Sequence, residues 1–372
     1  MKRNRITRTR TTPAPLHVFH APLCAFALCL ALAPAAAPTA RQQASQIRTA
    51  RAQGTPQPSP PQPTPQAQPT QAQPADQPGA QPAVKLGFYV VDGANHAVAD
   101  VRREDVSLTV DGAPQTITYF AREESPVSYG LVIDNSGSVR QILDLLARTA
   151  GTLVAANRPE DEAFVMRFVD QRRTNILEDF TSDKQSLASA LSDMYVEGGQ
   201  TAVIDAIYRA AEHTAGHAGA NRRLALVVIT DGEDRGSTHK LEELTQLLRR
   251  EGVRVFVIGL TGLLDKTGGF IQKSSREKAS ELLETIAHES GGRAFFPTFG
   301  KTVGADLTLA LNEIGESLRS QYVVGFTPSS AGADEKFHRV QIRISEGSGK
   351  EKRKVVAPPG YFAVASRVQD KE

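Results

Sequence analysis

Of the 372 residues only two are cysteines, Cys24 and Cys29, and both lie in the apolar run APLCAFALCLALAPAAA at residues 21–37. If that run is removed, no thiol is left for a disulfide or a thiolate metal site, so the fold must rest on core burial. Acidic residues are missing from the start of the chain, with none before Asp76, whereas Lys2, Arg3, Arg5, Arg8 and Arg10 precede the apolar run. Ala35 and Ala37 close the run in an A-x-A arrangement. A basic start, a short apolar stretch and small residues at its end make an export signal, expected to be cleaved from residues 1–40. The protein is therefore expected outside the cytoplasm: periplasmic, at the cell surface or secreted. If the segment stays uncleaved, it is the chain's one expected membrane contact. Leu23 and Leu28 stand where a lipid-anchored cysteine would need a small residue before it.

The charge balance changes once the signal is set aside. The whole chain has 43 basic and 41 acidic residues; without the five basic residues of the signal 38 remain, a net of about −3. No basic patch interleaved with aromatics is present, which argues against a nucleic-acid partner.

Catalytic signatures are also missing. There is no G-x-S-x-G for a serine nucleophile. His213 and His217 are four apart, but their run HTAGH lacks the Glu of H-E-x-x-H and contains Gly216, so they read as residues at a helix end. His288-Glu289 precedes SGGRAFF and reads as the end of a helix before a strand. No enzyme activity is expected.

Residues 41–83 are rich in Pro and Gln and have almost no apolar bulk. Such a linker cannot bury enough surface to order itself. From Val84 the pattern turns to short alternating strands, with Asp92-Gly93 and Asp111-Gly112 as turn signals; about three strands are expected over residues 84–125. Between residues 126 and 320 strands and helices alternate. Strands such as YGLVID and RLALVVIT are apolar throughout, as strands covered on both faces must be. Val139, Ile142, Leu146, Ala150 and Leu153 step by three and four, predicting a helix within residues 138–156, and Gly252 stands where a helix running through Leu241, Leu244 and Leu248 should stop. After residue 320 about three further strands are expected. The fold class is α/β: a doubly wound, mostly parallel sheet over residues 126–320. It is inserted in, or flanked by, a small antiparallel β-sandwich built from residues 84–125 and 321–372.

In such a sheet ligands bind at the carboxyl ends of the strands. Asp134 ends the first strand, and Ser136 and Ser138 occupy the turn after it, in LVIDNSGSVRQ. Asp231 follows a second apolar strand in TDGED, and Thr201 opens a helix behind Gly198 and Gly199. Taken singly, Ser138 reads as a helix cap, Gly198-Gly199 and Asp231-Gly232 as turns, and Glu233-Asp234 as a solvated acidic loop. Taken together, two carboxylates and three hydroxyls are an oxygen-only donor set suited to a hard divalent cation such as Mg²⁺. A haloacid-type phosphotransferase would need an acid where Ser136 stands. The loop at residues 261–275 is placed to shape the rim.

D-x-S-x-S, G-G-x-T and T-D-G, in that order and on those elements, resemble the metal-ion-dependent adhesion site of von Willebrand factor type A domains. The whole chain further resembles exported bacterial proteins of the von Willebrand factor A-related, acidobacterial type. The resemblance implies that Ser136, Ser138 and Thr201 contact Mg²⁺ (or Mn²⁺ or Ca²⁺) through their hydroxyls. Asp134 and Asp231 would act through water or close behind, and an acidic side chain of a protein partner would complete the shell. It implies an adhesion or interaction module, with a structural envelope component as the alternative. It also implies that occupancy is linked to the position of the last helix, ending near Leu318.

Overall fold

The computed structural model describes residues 84–217, 219, 222–264, 273–328, 336–345 and 352–363. The proposed signal and linker, and residues 265–272 of the rim loop, lie outside the described residues.

Among the described residues four strands come first: β1 (Val84–Val91), β2 (Val106–Val110), β3 (Ala113–Pro114) and β4 (Ile117–Glu123). The alternating part continues as β5 (Val127–Asp134), α1 (Leu143–Ala155), β6 (Glu162–Phe168), β7 (Thr174–Thr181), α2 (Lys184–Ser192), α3 (Val203–Gly216), β8 (Arg223–Thr230), α4 (Leu241–Glu251), β9 (Arg254–Gly259), α5 (Ser275–Glu289), β10 (Arg293–Phe295) and α6 (Val303–Arg319). Among the described residues four strands follow: β11 (Gln321–Phe326), β12 (Phe337–Ile344), β13 (Lys354–Val356) and β14 (Gly360–Phe362). The late segment has one strand more than expected because RKVVAPPGYFAV is two strands. Pro358 and Pro359 have no N–H to offer a ladder, and they separate β13 from β14.

The central sheet runs β10-β9-β8-β5-β6-β7. Its neighbours are parallel except at the edge, where β7 runs antiparallel to β6. Each face is covered, and alternate residues of one strand enter different cores. Leu131 and Ile133 of β5 join Leu146, Leu153, Leu187, Leu311 and Ile314 of α1, α2 and α6. Val132 between them faces Ile207, Leu244 and Leu283 of α3, α4 and α5. At the middle of β5 a side chain would not fit: a Cβ on Gly130 would lie 2.2 Å from the Phe164 ring.

The remaining strands form two antiparallel sheets, β13-β1-β11-β4 and β14-β12-β2-β3. Each combines strands from both ends of the described chain. Their inner faces share one core, in which Leu86, Phe88 and Val324 meet Leu108, Val110 and Ile342.

Three of the central strands begin with arginine, and these arginines join the two parts of the fold. Arg223 donates to the carbonyls of Glu123 and, at 3.0 Å, of Leu318 in the last turn of α6. Arg254 reaches Gly87 O of β1 at 2.6 Å. Arg293 donates to Asn95 O at 3.1 Å and to the Glu313 carboxylate at 2.9 Å. Only Ser320 separates α6 from β11, so the helix feeds directly into the sandwich sheet.

In the Arg293–Glu313 pair the glutamate is buried and the arginine mostly so, the side chains being 14% and 9% exposed. Removing one partner of such a pair leaves an uncompensated charge in a poor solvent for it. Arg293→Met should therefore cost about 3 kcal/mol in urea unfolding, and adding Glu313→Gln should recover part of the loss. An unchanged midpoint in the single variant would contradict this account.

Candidate functional site

The strand order sets the site. From β5 the chain moves through α1 to β6 on one side, then returns to β8 on the other, so the carboxyl ends of β5 and β8 border a topological switch point. Asp134 is the last residue of β5 and Asp231 follows the last residue of β8. Both are buried.

Their neighbours hold the carboxylates in place. Asp134 Oδ1 accepts from the Ser136 N–H at 2.8 Å, and Asp134 Oδ2 accepts from the Thr230 hydroxyl at 2.6 Å. Thr230 Oγ1 in turn accepts from the Gly232 N–H at 3.0 Å. Gly232 has φ of 79° and lies so close to α5 that a Cβ would come within 2.7 Å of Leu283, so the turn after Asp231 requires glycine.

Ser138 does not cap α1. It lies in a single 3-10 turn, Gly137–Val139, and α1 begins only at Leu143, with Ile142 before it. Its exposed hydroxyl instead lies 2.9 Å from that of Ser136. Neither hydroxyl is committed to the helix.

Thr201 is brought to the same place by two anchors. The Ala202 N–H donates to Val169 O at 2.9 Å, and Arg173 Nη1 donates to Gly198 O at 2.7 Å. The Arg173 guanidinium and Val169 lie where a Cβ on Gly199 would be, and Gly199 has φ of 136°, so G-G before Thr201 meets a packing and a backbone requirement together. On the other side, Glu197 N–H reaches Asn135 O at 3.3 Å, and Arg167 donates to Glu197 at 3.4 Å and to the Tyr195 hydroxyl at 2.9 Å.

The acidic loop after Asp231 is not simply solvated, contrary to the sequence expectation. Asp234 Oδ1 accepts from the N–H groups of Val203 at 2.7 Å and Ile204 at 3.3 Å, capping the start of α3 from another loop. Asp205, in the first turn of α3, accepts from the N–H groups of Thr238 and His239, both at 2.9 Å. Burial alone would raise the Asp205 carboxyl, but the His239 and Thr238 hydrogen bonds outweigh it and hold the group below the ordinary range. The two loops that carry Thr201 and Asp231 are thereby braced against each other. Ser237 Oγ accepts from the Asp205 N–H at 3.1 Å and donates to Asp234 Oδ1 at 2.6 Å. Asp205 and Ser237 are the residues that sequence reasoning missed, and Asp234 is the one it read only as part of a solvated loop; each looks like an ordinary polar residue until the fold joins the loop to the helix.

Ser136, Ser138, Thr201 and Asp231 line one cavity of about 230 Å³, with Glu233 and Arg235 on its wall. Asp134 is fully buried behind it. Burial, and then the negative charge of Asp231, push the Asp134 carboxyl up to about 6, against the hydrogen bonds from Thr230 and Ser136 that pull it down. The buried Asp134 carboxylate, with Asp231 as a second negative charge acting on it, lacks a compensating positive charge. Among the described residues no three His, Cys, Asp or Glu side chains converge as a metal-ligating group. The donors gathered here, two carboxylates and three hydroxyls, are the oxygen-only kind that suits a hard cation.

His213 and His217 are engaged elsewhere. His213 bonds Asp179 at 2.8 Å, and His217 stacks on Phe180 with ring centres 3.9 Å apart. A roomier hollow of about 560 Å³ lies between the end of α5 and β13. Of its charged residues Glu284, Glu289, Arg293 and Lys354, Glu289 and Arg293 are paired with Arg249 and Glu313, and the lining holds no set of carboxylates and hydroxyls like that at the switch point.

Residues 130–304 match the family model of the von Willebrand factor type A domain. Every residue of the cavity falls within the matched residues. No curated protein matches the chain significantly. Similar solved structures include BatB from Bacteroides thetaiotaomicron, at 19% identity and TM-score 0.39, covering 51% of this chain and 100% of that one. A von Willebrand factor type A protein from Catenulispora acidiphila is similar at 12% identity and TM-score 0.43, covering 76% and 75% of the two chains. Proximal thread matrix protein 1 from the mussel byssus, solved with a zinc-occupied MIDAS motif, is similar at 17% identity and TM-score 0.42, covering 52% and 50%. Among the described residues no helix is long and apolar enough to cross a membrane.

Proposed function

We propose that this protein is an exported, non-enzymatic interaction module that binds a divalent cation at the type A switch point and uses it to capture an acidic side chain of a protein partner. The ion is Mg²⁺ in the first place, with Mn²⁺ or Ca²⁺ as alternatives. The observation that supports the reading is the convergence of Ser136, Ser138, Thr201 and Asp231 on one small cavity at the carboxyl ends of β5 and β8, with the buried Asp134 carboxylate bonded to the Ser136 N–H beside it. The three hydroxyls would contact the ion and the two carboxylates would balance its charge. Type A domains in general mediate protein interactions, and an ion coordinated largely by uncharged hydroxyls keeps enough positive character to attract a carboxylate.

Thr201 separates this reading from a purely structural envelope role. Among the described residues its hydroxyl carries no hydrogen bond of the fold, while its carbonyl accepts from Arg235 and Gly236 through backbone that alanine would keep. Thr201→Ala should leave the melting temperature in EDTA within about 2 °C of the parent. It should weaken Mg²⁺ binding at least about tenfold, as expected for loss of a hydroxyl ligand, and abolish Mg²⁺-dependent retention on immobilised polyglutamate. Unchanged retention, with Mg²⁺ acting only on the melting temperature, would favour the structural role.

A further inference from the structure

The loop after β8 crosses the cavity wall and is pinned on both sides. The Glu233 N–H donates to Asp231 Oδ1 at 3.0 Å. The N–H groups of Arg235 and Gly236 donate to the Thr201 carbonyl at 2.9 and 3.2 Å. Between these pins the side chains of Glu233 and Arg235 form an ion pair and line the same cavity as Ser136, Ser138 and Thr201. Glu233 is 26% exposed and Arg235 57% exposed, so the carboxylate is on the inner side of the pair.

A carboxylate held there is the same kind of ligand that a partner's acidic side chain would offer. Being tethered through a few pinned residues, it acts at an effective concentration of order millimolar or more, which a free partner must exceed or displace. Its restraint is also visible: Arg235 competes for the same oxygens through a charge-assisted hydrogen bond.

We propose that Glu233 is this chain's own acidic ligand for the cation, and that Arg235 is the counter-ion that draws it away. The inference rests on the cation-binding reading above. A partner enters by exchange: its carboxylate replaces Glu233 at the ion while Glu233 is retained by Arg235. Specificity then depends on the Glu233–Arg235 pair, because a partner that cannot compete with a tethered carboxylate is rejected.

The metal alone tests this. Mg²⁺ is titrated calorimetrically into the full EDTA-stripped chain as wild type, Glu233→Gln, Arg235→Gln and the Asp134→Ala/Ser136→Ala control, with and without added acetate as a free carboxylate. The expected result is that Glu233→Gln binds Mg²⁺ about tenfold more weakly and recovers affinity when acetate is added, while the wild type ignores acetate. Arg235→Gln should bind Mg²⁺ a few-fold more tightly, since the carboxylate is no longer drawn off. Equal affinity and equal indifference to acetate in wild type and Glu233→Gln would overturn the assignment. If only the double control loses binding, the Glu233 role falls and the cation site stands. If wild type and control titrate alike, the cation reading fails and this inference fails with it.

Discussion

Asp134→Asn should make the metal-free protein more stable and, at the same time, abolish its stabilisation by Mg²⁺. The two opposite effects have one cause. Asp134 is fully buried, and its carboxyl is pushed up to about 6 by burial and by Asp231, so at pH 8 the fold holds an ionised group it would rather keep neutral. From an ordinary value of 3.8 that shift corresponds to roughly 3 kcal/mol of destabilisation above pH 6, an upper bound for what the amide could recover. Asparagine can keep the local bonds: its oxygen accepts from the Ser136 N–H, and its amide donates to the Thr230 hydroxyl in place of the bond Thr230 now gives. What it cannot supply is negative charge for a cation. Thermal melts at pH 8 in EDTA should rise for the variant, whereas Mg²⁺ at a hundred times its dissociation constant should add about 2.7 kcal/mol to the wild type and nothing to Asp134→Asn. A variant less stable than the parent in EDTA would contradict the strain assigned to Asp134.

The second large effect is with pH. A group whose folded-state pKa is raised above its unfolded value stabilises the fold fully below the unfolded value and loses that contribution as pH rises through the folded one. For Asp134 the window runs from about 3.8 to about 6. Metal-free protein should therefore lose about 2–3 kcal/mol between pH 4 and pH 7 that the Asp134→Asn variant does not lose, as read from urea unfolding of the two side by side. With Mg²⁺ the dependence turns over. An ion that needs the carboxylate must displace its proton, so Mg²⁺ affinity should fall as pH drops through 6, with close to one proton released per ion bound below it. Calorimetry in two buffers of different ionisation heat counts that proton. Affinity that stays flat from pH 5 to pH 8 would show that Asp134 is not coupled to the ion.

Much of this site is legible from local pattern because its parts are local. D-x-S-x-S and T-D-G each follow an apolar strand, and such strands lie next to one another in a parallel sheet covered on both sides. The site's supports are not legible in the same way. Asp234 caps a helix that begins 31 residues before it, and no periodicity announces which helix a loop will meet. The start of α1 is also misread, since the apolar spacing of Val139 and Ile142 continues that of the helix although Val139 lies in a separate 3-10 turn and Ile142 only precedes the helix. Val139 is buried all the same, so the spacing reports burial faithfully and backbone type less so. The direction of β7 was available in principle: five residues join it to β6, too few for a parallel crossover, which takes a dozen or more. Pro358-Pro359 likewise marked a break that alternation alone carried across.

The central claim is that Asp134, Ser136, Ser138, Thr201 and Asp231 form one cation site. Its most direct test is calorimetric titration of Mg²⁺ into the EDTA-stripped chain beside its Asp134→Ala/Ser136→Ala variant. Saturable binding of one ion in the parent and none in the variant is the predicted result. Equal binding in both, or none in either, would contradict the claim.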